Sequence, residues 1–158
     1  MPPLNLPPAR LNIRRDERSG EVRVFDRLRR KWIVLTPEEW VRQHFTRMLI
    51  DRLGYPEGRM ANEVSLTLNG TARRCDTVVF DSRCEPEVIV EYKAPTVPVT
   101  QAVFDQIVRY NMVMKARMLI VSNGINHYCC LIDYATHSYR FLPEIPAYSH
   151  FREQADQK

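Results

Sequence analysis

The sequence predicts a mixed α/β domain. Three patterns point there: a capped amphipathic helix from Thr36 to Leu53, strand patterns between Glu63 and Tyr92, and a strand–helix–strand unit from Val88 to Val121. A strand, a helix and a second strand in that order need a crossover, so at least one pair in the sheet is parallel. The chain has 158 residues, 44% hydrophobic and 27% charged, the size and balance of one soluble domain with a sizeable core.

The elements follow in order. Residues 1–12 hold Pro2, Pro3, Pro7 and Pro8 and few apolar anchors, and a mixed-charge stretch follows, so 1–19 reads as an extended arm. Val22–Phe25 and Trp32–Leu35 are β-prone runs around a polar segment, a hairpin pattern. Thr36 fits an N-cap, Pro37 the first helical position, and Glu39 closes a capping box. Val41, Phe45, Met48, Leu49 and Leu53 then form one apolar stripe, and Gly54 ends it. Glu63 to Leu68 alternates polar and apolar, Asn69-Gly70 is a hairpin turn, and the partner strand runs from about Arg73 to Phe80.

Val88 to Tyr92 is apolar apart from Glu91, the pattern of a central strand covered on both faces. A Pro-rich loop leads to Thr100, which caps a second helix reaching about Lys115, with Val103, Ile107, Tyr110 and Met114 on its apolar face. Met118–Val121 is a further buried strand, and His127–Tyr134 with Tyr139–Leu142 make a closing hairpin. The domain is expected over 20–142, with 143–158 a polar, fraying tail.

Several classes are excluded. No run approaches the ~18 apolar residues of a membrane-spanning helix, and the N-terminus lacks a signal-peptide core, so a cytoplasmic protein without a membrane partner is expected. Cys75, Cys84, Cys129 and Cys130 form no C-x-x-C pair and read as reduced thiols; His127 beside Cys129 and Cys130 has no further ligands. Neither a phosphate-binding loop of the G-x-x-x-x-G-K-[ST] type nor a G-x-G-x-x-G dinucleotide motif occurs. The 23 basic and 19 acidic side chains leave a net charge of +4, which permits binding to nucleic acid without requiring it.

The charged residues inside apolar strands carry the chemistry. Glu91 interrupts Val-Ile-Val, and Lys93, two residues on, shares its face. Asp76 sits inside the preceding strand, so pairing of the two strands would bring Asp76 and Glu91 together. Two carboxylates beside an ammonium suit phosphodiester hydrolysis: the carboxylates hold Mg²⁺, the Tyr92 carbonyl between them is a further candidate ligand, and the lysine orients water or balances charge. The competing reading is a strand-end ion pair between Glu91 and Lys93.

Asp76, fourteen intervening residues, then Glu91-Tyr92-Lys93 resembles the PD-(D/E)xK nuclease signature. The order helix, three strands, helix, strand resembles that superfamily's restriction-endonuclease-like core. Gln106 and Tyr110 resemble its Gln-x-x-x-Tyr motif. Within the superfamily, TPEEWVRQ at 36–43, RRCDTVVF at 73–80, VIVEYKAP at 88–95 and LIVSNGINHYC at 119–129 look like the N-terminal nuclease domain of the type I restriction enzyme R subunit. Cys75 stands where the signature often carries proline, a position that is not a ligand.

The resemblance implies a Mg²⁺-dependent DNA endonuclease in which Mn²⁺ substitutes. Asp76 and Glu91 would hold the metal, Lys93 would be the catalytic lysine, and Gln106 would position water or DNA. Tyr110, Arg74 and Arg73 would contact DNA; for the two arginines the competing reading, slightly preferred, is a solvated strand start. The family also tends to place an acid on the first helix. Glu39 is the candidate, its capping role explaining it equally well, and Glu63 is the alternative. Arg42 is expected at the surface. A type I R subunit also carries a motor, which 158 residues do not accommodate, so restriction-system or motor subunits are expected partners, and a homodimer would ease double-strand cutting. The alternative function is a non-catalytic DNA-binding or assembly module that keeps the fold.

Overall fold

Thr36 starts helix α1 (Pro37–Asp51) as its sequence predicts: the Thr36 hydroxyl accepts the Glu39 N–H at 3.1 Å, with Pro37 in the first turn. In the computed structural model, which describes residues 1–156, α1 is preceded by three short strands, β1 (Ile13–Arg15), β2 (Val22–Asp26) and β3 (Lys31–Val34). Then come β4 (Met60–Leu68), β5 (Thr71–Phe80), β6 (Pro86–Tyr92), α2 (Gln101–Asn111), β7 (Met118–Ser122), β8 (His127–Asp133), β9 (Ser138–Leu142) and α3 (Tyr148–Asp156). Strands β4 to β9 form a six-stranded sheet in sequential order. Every pair is antiparallel except β6–β7, which the α2 crossover makes parallel, with Val88 beside Met118 and Tyr92 beside Ser122. This is the α-β-β-β-α-β order that the resemblance implies.

Alternation along β6 and β7 separates two cores. Val88, Val90, Tyr92, Met118 and Ile120 pack with Val41, Phe45 and Leu49 of α1. Ile89, Leu119 and Val121 pack with Phe104, Ile107 and Val108 of α2. The sheet is thus covered on both faces, which is why these strands are nearly continuous apolar runs. Glu91 falls at an α2-side position of that alternation.

Three expectations are corrected. The arm over 1–19 is not free: Ile13–Arg15 pairs with β2 as a third strand, and Leu4 and Leu6 pack on the α1-side core. The Asn5 N–H donates to the Gly124 carbonyl at 2.8 Å, and the Trp40 indole donates to the Pro2 carbonyl at 3.0 Å. Gly124, at φ 84°, makes this approach possible, since a Cβ there would lie 2.7 Å from Leu4 Cδ2. The tail after Pro143 does not fray through 148–156 but forms α3, because Phe151 is fully buried in the α1-side core. The apolar face of α2 is rotated from the expected one: Phe104, Ile107, Val108 and Asn111 are buried, and Tyr110 is 41% exposed. All four cysteines are free thiols, and among the described residues no helix is long and apolar enough to cross a membrane.

Candidate active site

The site forms where β5 and β6 part. Their pairing runs from Val79–Val88 to Thr77–Val90, so the next step sets Asp76 across from Glu91. On the other side of β5, Asn62 pairs with Thr77 and Val64 with Cys75, which places Glu63 level with Asp76. One row across β4, β5 and β6 is therefore Glu63, Asp76, Glu91. The row is distorted. Glu63 takes left-handed backbone at φ 56°, which a non-glycine residue adopts at a cost. Cys75 and Val78, three apart, both pack on the α2 side, so the alternation of β5 breaks beside it.

Asp76 and Glu91 are held together. The Tyr92 N–H donates to Asp76 Oδ2 at 2.8 Å. Asp76 and Glu91 act on each other as like charges, and Asn111 is buried nearby at the end of α2. Burial first, and then the Asp76 charge, push the Glu91 carboxyl up to about 8, against the pull of Lys93 and Asn111. A cation beside Glu91 would act in the opposite direction. The Lys93 N–H donates to the Ser122 carbonyl at 2.9 Å, which fixes its backbone at the end of β6. The Lys93 side chain lines an open depression of about 330 Å³ together with Glu91, Arg74, Gln106 and Tyr110. Above it Arg73 stacks on Tyr110, its guanidinium 4.4 Å from the ring centroid, and donates to the Tyr110 carbonyl. The sequence-selected Asp76, Glu91, Lys93, Gln106, Tyr110, Arg73 and Arg74 thus lie at one end of the sheet.

Glu39 and Glu63 are engaged elsewhere. Glu39 Oε1 accepts from Arg29 at 2.7 Å and from Arg42 at 2.9 Å. Glu63 accepts from Arg42 at 2.5 Å and from Arg74 at 2.6 Å. Burial alone would raise the Glu63 carboxyl, but those two arginines more than offset it and hold it below its usual range. Arg42, expected at the surface, is 1% exposed, and its Nη2 lies 3.7 Å from Asp76 Oδ1. Burial acts to discharge it, but Glu39 and Glu63 hold its proton more firmly than usual.

The acid of α1 that feels the Asp76 charge is Glu38. Burial and then Asp76 raise its carboxyl, while Arg42 and Lys93 oppose them. Sequence reasoning missed Glu38 and Arg42. The available signal was helical spacing: Glu38 and Arg42 lie four apart and so share a face of α1. His127 is not a ligand candidate; its ring nitrogens bond Ser122 Oγ at 2.6 Å and the Asn5 carbonyl at 2.8 Å.

Among the described residues, no group of three or more His, Cys, Asp or Glu is placed to hold a metal on its own. The convergent donors are the Asp76 and Glu91 carboxylates. An oxygen-only pair fits Mg²⁺, which keeps several waters and uses one or two carboxylates, and does not fit a soft or cage-bound metal.

Comparison with known proteins bears on the fold and the family of the chain. A fragment structure assigned to the HsdR subunit of a type I restriction enzyme from Vibrio vulnificus YJ016 is similar at a TM-score of 0.56 and 19% identity, over 78% of this chain. That likeness is one of fold, and this chain spans 26% of that one. No curated protein matches the sequence. Residues 37–146, from the start of α1 to the loop before α3, match the family model described as type I restriction enzyme R protein N terminus. The chain therefore belongs to the type I restriction enzyme R protein N-terminal family.

Proposed function

We propose that this chain is a Mg²⁺-dependent DNA endonuclease of the PD-(D/E)xK type, working as the nuclease domain of a restriction system. The observation that carries this reading is the placement of Asp76 across from Glu91 on neighbouring strands, with Glu91 and Lys93 lining an open depression. A paired carboxylate site facing solvent costs stability and needs a cation to relieve it.

Asp76 and Glu91 would hold Mg²⁺, with the Tyr92 carbonyl as a further ligand, and Mn²⁺ would substitute. When bound, the ion would polarise the phosphodiester and acidify a water. The chain's own groups do the rest. Lys93 presents its ammonium beside the carboxylates, where it orients the attacking water. It also balances negative charge on the phosphate as the new P–O bond forms and the old one breaks. Gln106 lines the same depression and positions the water or the strand. Arg74, whose side chain is 68% exposed, and the Arg73–Tyr110 stack at the rim hold the DNA backbone. One such site cuts one strand, so double-strand cutting calls for two copies of the chain. Other restriction-system subunits, including a motor, are the expected protein partners.

The test is nicking of supercoiled plasmid with Mg²⁺, with Mn²⁺ and with EDTA, comparing wild type with Asp76→Ala. Metal-dependent nicking by the wild type and a loss of at least about 10³-fold in the variant is expected. Salt-sensitive DNA binding without cutting in any metal would instead identify a non-catalytic DNA-binding module.

A further inference from the structure

Arg42 has no role in the mechanism above, yet it is the most heavily engaged cation near the site. Its Nη1 bonds Glu39 at 2.9 Å, and its Nη2 bonds Glu63 at 2.5 Å and lies 3.7 Å from Asp76. Its side chain lies against the Tyr92 ring, with the guanidinium carbon 5.6 Å from the centroid. Its Nε is buried without a hydrogen-bond partner among the described residues, a cost the fold accepts to keep the charge there. The two neighbouring arginines complete the pattern. Arg29 bonds Asp26 and Glu39, and Arg74 bonds Glu63. Three cations are thus matched to three carboxylates, Asp26, Glu39 and Glu63. What remains at the site is Asp76, Glu91 and Glu38 against Lys93, with Arg73 stacked on Tyr110 at the rim.

We propose that Arg42 is the site's fixed cation: it holds Glu39 and Glu63 out of coordination, so that Asp76 and Glu91 take one divalent ion and not two. Arg42 is a positioning residue on this view, acting through the carboxylates it restrains. Glu39 and Glu63, the two acids that by sequence could complete the metal site, are then anchors for Arg42 and not ligands. The inference rests on the metal-dependent reading above.

Calorimetric titration of the full chain with Mn²⁺ tests both and separates them. Wild type is expected to bind one Mn²⁺ per chain, and Asp76→Asn to lose at least about a hundredfold in affinity. Glu63→Gln, which can still accept from Arg42, should keep one ion with affinity within about tenfold of wild type. Arg42→Gln, if circular dichroism shows it folded, should bind Mn²⁺ at least about tenfold more tightly or gain a second ion, because a cation beside the carboxylates is gone. If that variant does not fold, Glu63→Gln decides alone. Two ions on the wild type, a loss greater than tenfold in Glu63→Gln, or unchanged binding in folded Arg42→Gln would overturn the role given to Arg42 and leave the nuclease reading standing. No Mn²⁺ binding by the wild type would overturn the metal-dependent reading itself, and this inference with it.

Discussion

Glu63 and Glu91 are the same residue type in one row of the sheet, both part-buried, and their proton affinities move in opposite directions. Glu63 receives a hydrogen bond from Arg42 and another from Arg74, and its carboxyl sits below its usual range. Glu91 faces Asp76, and its carboxyl rises to about 8. Burial raises both, so the difference lies in the partners. A carboxylate matched by arginines has become part of the framework, whereas one set against another carboxylate stores a repulsion that a cation can release. The α1-side network is therefore structural, and the β5–β6 mouth is where chemistry is to be sought.

Three changes would break or sharpen that contrast. The largest effect is expected from Lys93→Met, the cation on the reactive side. It should lower plasmid nicking by about 10²-fold or more while Mn²⁺ still binds, because the lysine serves the reacting phosphate and not the ion. Loss of Mn²⁺ binding in the same titration would show that Lys93 is instead a structural partner of Glu91.

Arg42→Met should come next. Removing one member of a buried ionic network leaves Glu39 with Arg29 alone and Glu63 with the exposed Arg74 alone, a cost of about 3–5 kcal/mol at most, readable as a lower urea midpoint. A cost below about 1 kcal/mol would place Arg42 among ordinary surface ion pairs.

A third effect is in the pH dependence of stability. Glu91 has a folded-state proton affinity above its ordinary value of 4.5, so between pH 4.5 and about 8 the folded chain binds more protons than the unfolded one. Stability from this group is therefore present at low pH and lost as pH rises through about 8. Glu91→Gln should flatten that fall, and saturating Mg²⁺ should reverse it by displacing the Glu91 proton. Urea titrations at pH 5, 7 and 8.5 would show whether the slope vanishes in the variant.

Local patterns were legible where a single element carries them. The Thr36 cap, the Val41–Phe45–Leu49 stripe, the Asn69-Gly70 turn and the apolar run around Glu91 each depend on residues a few positions apart. Asp76 and Glu91 could be paired on paper because β5 and β6 are neighbours in the chain. The docked arm could not be read. Leu4 finds its place against Gly124, more than a hundred residues away, and nothing near Leu4 hints at it. Helix α3 was missed for a similar reason: Tyr148 and Phe151 are two aromatic residues in a polar stretch, and only the groove beside Tyr55 makes them an anchor.

The sequence by itself determined the order of elements, the crossover that makes β6 and β7 parallel, and the carboxylate–carboxylate–lysine set at the sheet's end. These follow from periodicity, capping and strand alternation, which are short-range. Tertiary structure alone decided which charges are satisfied. Which acid of α1 feels the Asp76 charge, and whether Arg42 faces water or the interior, depends on partners from β4, β5 and the β2–β3 turn. A buried charge is tolerable only when such distant groups converge on it, and that convergence is a property of the assembled fold.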